Sequence, residues 1–201
     1  MIFFNLATED EVSESIGLKL IEELGSEFQV NLKLRKGGYG YLRSKINSFC
    51  QMALRNPILI ITDLDRITCP ATLIRGWMGT KRCPEKMLFR VAVRETESWL
   101  MADHTAMGSL LGKGAANIPS NPDSINDPKQ KLLECAKRAP REVRKRLIAE
   151  KGALASQGLE YNSCLCKFVR ERWNPERAAN RSTSLRRARA RLKELALKCQ
   201  R

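Results

Sequence analysis

Asp63 and Asp65 stand two residues apart, after Ile58-Leu59-Ile60-Ile61 and a single Thr62. An unbroken apolar run that follows a proline and ends in acids is the pattern of a strand buried on both faces of a parallel sheet. The carboxyl ends of such strands are where open α/β sheets place their chemistry. Two carboxylates spaced i, i+2 where a strand breaks into a loop can both turn toward one hard cation, and the spacing predicts Asp63 and Asp65 as ligands of a divalent metal. Related patterns occur twice more: Glu95 and Glu97 follow the apolar run Lys86 to Val93, and Glu9 and Asp10 follow Ile2 to Leu6. In a parallel βα arrangement all three strand ends lie along one edge. A single acidic strand end is ordinary, because helix first turns attract Asp and Glu. Three together are less easily explained that way, since carboxylates gathered at one edge repel and call for a cation.

The elements that must hold these groups can be read in order. Ile2–Leu6, Phe28–Leu34, the run from Ile58 and Lys86–Val93 read as four strands, the second alternating as a strand with one wet face or at an edge. Thr8 is expected to cap a first helix, with Glu11 at its third position and Val12, Ile16, Leu20 and Leu24 on one face. Gly37 to Tyr41 reads as a flexible loop: it lacks the Lys-Ser/Thr of a phosphate-binding loop, but with Arg35, Lys36 and its tyrosines it could touch a substrate backbone. Helices are expected at Leu42–Leu54, Ala71–Met78 and Ser98–Asp103. After residue 104 the pattern changes to glycine, proline and helix, with helices at Gln130–Lys137, Glu142–Ala149 and Tyr161–Trp173 and a last one capped by Ser182. The expectation is an α/β fold, a mostly parallel sheet flanked by helices over residues 1–104. A mainly helical, basic subdomain over residues 105–201 packs on it.

Charge divides the chain the same way. The net charge is +14, and residues 105–201 hold 22 Lys and Arg against 9 Asp and Glu, whereas the first 104 residues are nearly balanced. A one-sided positive field favours a polyanion, nucleic acid ahead of an anionic membrane, because no basic amphipathic segment has a bulky apolar face. Arg35, Lys36, Arg94, Arg144, Lys145, Arg186, Arg187 and Arg189 are the candidate backbone contacts, and Lys129 and Arg94 are those considered for the scissile phosphate.

Other chemistry finds less support. The seven cysteines are odd in number and include no Cys-x-x-Cys, which reads as free thiols in a reducing compartment. Cys69, Cys83 and His104 match no zinc-site spacing. One histidine and no Gly-x-Ser-x-Gly elbow argue against a serine or cysteine hydrolase. Without a long apolar run or a signal-like start, the expectation is a soluble, cytoplasmic protein with no membrane partner.

An acidic turn after the first strand (Glu9), Asp-x-Asp after an apolar strand (Asp63, Asp65) and a further acidic segment (Glu95, Glu97) resemble, in that order, the Toprim fold of topoisomerases, primases and small nucleases. The likeness is nearest to Toprim nucleases of the overcoming-lysogenization-defect kind and to small Toprim-like proteins of bacterial defence loci. It covers about the first half of the chain, the part assigned to the sheet. The resemblance implies a Rossmann-like sheet, Mg²⁺ (or Mn²⁺) on Asp63 and Asp65, an acid/base or metal-binding role for Glu9, and a second metal at Glu95 and Glu97. Asp10 stands where that family has glycine, which leaves Glu9, Asp10 and Glu11 as alternatives for the first ligand.

The implied activity is Mg²⁺-dependent cleavage of DNA or RNA, as an effector of anti-phage defence. Metal held by carboxylates can supply the activated water and charge neutralisation that phosphodiester cleavage needs. A separately encoded ATPase or a homo-oligomer is left open as partner. Two rival readings stand beside it: a non-catalytic nucleic-acid-binding or assembly subunit of an ATPase-containing complex, and a receiver that accepts phosphate on Asp63.

Overall fold

The structure, a computed structural model, describes residues 1–35 and 37–200. Its sheet has four strands, β1 (Ile2–Thr8), β2 (Phe28–Leu34), β3 (Ile58–Asp63) and β4 (Met87–Ala92), in the order β2-β1-β3-β4. Every pairing is parallel, with Thr8 opposite Ile61 and Asp63 opposite Ala92. Five of the six β3 residues are buried, because the strand is flanked on both sides by strands and on both faces by helices. β2 is an edge strand, and four of its seven residues are exposed.

The order reverses between β1 and β3. From β1 the chain crosses to β2 on one side, then returns past β1 to lay β3 and β4 on the other. That makes the gap between the carboxyl ends of β1 and β3 the topological switch point, where doubly wound sheets open a crevice. The helices follow the reversal. Helix α1 (Glu11–Glu22) buries Val12, Ile16, Leu20 and Ile21 on the face that also carries Phe4, Leu6, Leu59 and Ile61. Helices α2 (Gly38–Ser44), α3 (Ile46–Met52) and α4 (Pro70–Met78) cover the other face, where Leu42, Phe49, Leu73 and Trp77 pack on Ile58, Ile60 and Phe89.

Two local expectations are corrected. The cap of α1 is Asp10 and not Thr8, because β1 runs on through Thr8, which is buried. Asp10 Oδ1 accepts the Ser13 amide at 2.8 Å, and Ser13 Oγ accepts the Asp10 amide at 3.1 Å, a reciprocal capping box. The glycine-tyrosine stretch is helical from Gly38 rather than a loop. Its tyrosines hold it down: Tyr39 stands edge-on to Trp77 at 5.0 Å and Tyr41 to Phe49 at 6.5 Å. Gly37 enters the helix at φ +101°, open to glycine without strain.

Helices α5 (Thr96–Met101) and α6 (His104–Leu111) follow β4 and lead through two short 3₁₀ turns to α7 (Pro128–Ala136), α8 (Arg141–Leu147), α9 (Tyr161–Glu171), α10 (Pro175–Ala179) and α11 (Thr183–Cys199). They join the α1 side of the sheet: α9 packs on α1 and α11 on β4, and the apolar cluster that starts at Phe4 runs without a break to Leu195. Trp99 is the joint. Its indole N–H donates to Ser184 Oγ at 2.7 Å, and its carbonyl accepts the indole N–H of Trp173 at 3.1 Å. Among the described residues, no helix is long and apolar enough to cross a membrane.

Candidate active site

Glu9 follows β1 directly and leans across the switch point. Its Oε1 accepts the backbone amide of Asp63 at 3.0 Å and the hydroxyl of Thr62, so the first acidic turn is tied to the end of β3. Asp63 in turn accepts the Thr96 amide at 2.9 Å through Oδ1. Thr96 opens α5, so an amide of that helix's first turn is donated to a carboxylate, as helix dipoles favour. The ends of β1, β3 and β4 are thus chained along one edge, through the Glu9 and Asp63 carboxylates and the Thr96 amide.

Glu95 and Glu97 point to a different set of partners. Glu95 Oε2 accepts the Lys129 amide at 2.7 Å, capping α7 from 34 residues away, and Glu97 Oε1 accepts the Tyr161 hydroxyl at 2.9 Å. Glu97 is only 6% exposed. The Lys129 ammonium stands over the Tyr161 ring at 5.2 Å from its centre. The helical half therefore brings Lys129 and Tyr161 to the acidic edge.

Asp65 lies one residue past the strand's last hydrogen bonds, at φ +49°, a left-handed conformation that Asp tolerates better than most residues. Its amide and that of Leu64 donate to the Arg94 carbonyl at 3.0 and 2.8 Å. The Arg94 guanidinium reaches back to the carbonyls of Asp65 and Ile67 at 3.0 and 3.1 Å. Arg94 is thus a staple between two loops, which occupies the cation considered for scissile-phosphate contact. Beside it opens a cleft of 480 Å³, lined by Tyr39, Asp65, Arg66, Glu95 and Asn126 among others.

Burial and mutual repulsion mark the cluster. Burial, then the charges of Glu97, Glu9, Asp10 and Asp65, hold the Asp63 carboxyl well above the usual carboxylate range. Burial pushes Glu97 up to about 7, against the opposing Tyr161 hydrogen bond. Glu9, Asp65 and Glu95 are raised as well, each mainly by burial. Among the described residues, no Lys or Arg forms an ion pair with any of these five acids.

Among the described residues, no three His, Cys, Asp or Glu side chains form a ready-made metal cage. Mg²⁺ asks for less, since it takes one or two carboxylates directly and keeps several waters. The donor set here is all oxygen, crowded and without cation partners, and it fits Mg²⁺ or Mn²⁺. Asp63 and Asp65 would hold such an ion, with Glu9 or Glu97 next to them. Asp10 has its Oδ1 engaged in the helix cap.

The candidate nucleic-acid contacts separate into free and engaged groups. Arg144 on α8 and Arg186 and Arg187 on α11 are exposed and without an ion pair among the described residues, whereas Lys145, also exposed, stands 4.0 Å from Glu142. Arg35 is engaged with Glu14 at 3.1 Å and Glu11 at 3.4 Å. Arg189 is 12% exposed and holds Glu23, the residue that closes α1, through two hydrogen bonds, so it fastens α11 to the sheet layer. Lys36 lies outside the described residues. Reading the sequence alone missed Thr62, Thr96 and Tyr161, and Tyr161 carried no signal beyond its place in an apolar helix.

No family model matches the chain, and neither the curated proteins nor the solved structures include a match to it. The strand order is that of the first four strands of the flavodoxin-like doubly wound sheet, an architecture that carries many unrelated functions.

Proposed function

We propose that the chain is a Mg²⁺-dependent nuclease of the Toprim type that cleaves phosphodiester bonds in DNA or RNA. The observation that carries this reading is Asp63: a carboxylate at the switch point, pressed by four neighbouring acids, with no cation paired to it among the described residues. A divalent ion held there by Asp63 and Asp65 would supply Lewis-acid activation of water and charge neutralisation for phosphodiester cleavage. The chain's own groups would orient the reaction. Asp63 and Asp65 hold the ion, and Glu9, its carboxyl raised by burial, is the candidate to accept and return a proton. Lys129 is the nearby cation for the phosphate, and the cleft beside Asp65 and Glu95 is the candidate seat for the substrate. A role in anti-phage defence, beside an ATPase or as an oligomer, follows only from the resemblance and is part of the proposal.

A second reading has its own support: Glu9, Glu95 and Glu97 each already accept a hydrogen bond from the fold, as purely structural acids would. The chain would then be a binding subunit without turnover. One experiment separates the two. Labelled single- and double-stranded DNA and RNA are incubated with the parent and with Asp63→Ala/Asp65→Ala, in Mg²⁺, Mn²⁺ and EDTA. Metal-dependent cutting that the double variant lacks supports the nuclease. Equal binding by both proteins with no cutting by either supports the subunit and removes the nuclease.

A further inference from the structure

A second feature lies away from the acids, on the edge strand β4. Along this strand Leu88 and Ala92 face the core under α11, and Arg90 stands between them on the same face by the period of two. Arg90 is partly buried there. Its Nε donates to the Phe89 carbonyl at 2.9 Å, and among the described residues it has no ion pair with a carboxylate. Burial first, then the charges of Arg191 and Arg187 on α11, hold Arg90 below the usual arginine range, against the smaller opposing pull of Cys83 and Glu194. Arg187 likewise has no ion pair among the described residues, whereas Arg191 holds Glu194 at 2.6 Å.

Two of these guanidiniums, Arg90 and Arg187, border a groove of 260 Å³ between α4 and the start of α11, lined also by Ile74, Val93, Thr183 and Ser184 among others. One carboxylate also faces it, Asp123, and both its oxygens are occupied: Oδ1 by the Ser182 hydroxyl at 2.7 Å and Oδ2 by the Ser184 amide at 2.8 Å. A partly buried cation crowded by like charge is unfavourable unless an anion joins it.

We propose that Arg90 and Arg187 form a phosphate-binding groove that holds a polynucleotide backbone against β4. Planar, always-charged guanidiniums suit phosphate oxygens, and their contacts position a strand without reading its sequence. Val93 lines the groove and precedes the Arg94–Glu97 segment, so a strand lying there runs toward the acidic edge. That direction rests on the nuclease reading; the phosphate contacts do not.

The test is anisotropy of a labelled 20-nucleotide single-stranded DNA with the full chain in EDTA, titrated across salt. Arg90→Gln/Arg187→Gln is expected to bind at least about tenfold more weakly and to flatten the plot of log affinity against log salt by about 1.4, two phosphates at roughly 0.7 each. Arg187→Gln alone, at an exposed position that leaves folding intact, is expected to flatten it by about 0.7. An unchanged slope in the single variant, with parent-like melting, overturns the groove. So does a parent that ignores the oligonucleotide but is stabilised by millimolar inorganic phosphate in an Arg187-dependent way, since the site then serves a free anion. If the parent binds DNA in this manner and never cuts it in Mg²⁺ or Mn²⁺, the nuclease reading fails and the groove stands.

Discussion

Glu9 and Asp63 meet across the switch point of the sheet, the carboxylate of the first accepting the backbone amide of the second at 3.0 Å. The bond uses an oxygen, so an amide side chain can replace it where a methyl cannot. Glu9→Gln is expected to melt like the parent and to lose about 100-fold or more in cleavage. Glu9→Ala is expected to lose cleavage and also about 1–3 kcal/mol of stability, because the Asp63 amide and the Thr62 hydroxyl lose their acceptor. Urea unfolding beside the cleavage assay distinguishes the two effects.

Glu97 gives the protein an acid-favouring stability profile. Its folded value, about 7, lies above the ordinary 4.5. The native chain therefore holds a proton that the unfolded chain releases, and stability falls as pH rises from about 4.5 to about 7. The loss assigned to this group is at most about 3 kcal/mol. Raised values at Asp63, Glu9, Asp65 and Glu95 act in the same direction. Melting temperature measured in EDTA from pH 4.5 to 8 is expected to decline, and Glu97→Gln is expected to flatten the decline.

Divalent metal should relieve the same crowding. With Mg²⁺ at 100 times its dissociation constant, the parent is expected to gain about 2.7 kcal/mol. Asp63→Asn is expected to show almost none of that gain while melting no lower than the parent in EDTA at pH 8. Scanning calorimetry with and without the ion reads this without any substrate.

Much of this edge was legible before the fold was known, because it follows from local pattern. The apolar run at Ile58, the acids behind it and the parallel order are consequences of chain-local spacing. Thr62, Thr96 and Tyr161 were not legible, since each gains its role from a partner that only tertiary packing supplies. Tyr161 meets Glu97 across 64 residues. Helices α6 and α10 were missed for a related reason: Gly108 and Pro175 look like breakers, yet Gly108 faces open space and Pro175 sits at a helix start, where its missing N–H costs nothing. In the sequence Arg189 reads as one more candidate backbone contact beside Arg186 and Arg187. Only the placement of α11 against Glu23 distinguishes it from Arg186 and Arg187.

That distinction can be measured. Arg189→Ala is expected to destabilise the chain by about 1–3 kcal/mol, through loss of a mostly covered pair, with little change in oligonucleotide affinity. Arg186→Ala, at an exposed position, is expected to leave stability within about 0.5 kcal/mol. Chemical unfolding and anisotropy on both variants give the comparison.

Asp103 is the most committed acid outside the acidic edge. Only 1% exposed, it accepts the amides of Ala106 at 3.2 Å and Asn174 at 2.8 Å and both arms of Arg177, at 3.0 and 2.8 Å. Asp103→Ala is expected to cost about 3–5 kcal/mol, since Arg177 and two helix starts lose their partner. Thermal melting reads the loss, and a variant as stable as the parent removes Asp103 from this role.

The packing of α9 on α1 also sets an order of events at the ribosome. Helix α1 leaves the exit tunnel about 150 residues before α9, a delay of roughly ten to thirty seconds at ordinary translation speeds. Through that interval the side of α1 that α9 later covers has no partner, and it is in this window that chaperone capture or misassembly competes with folding.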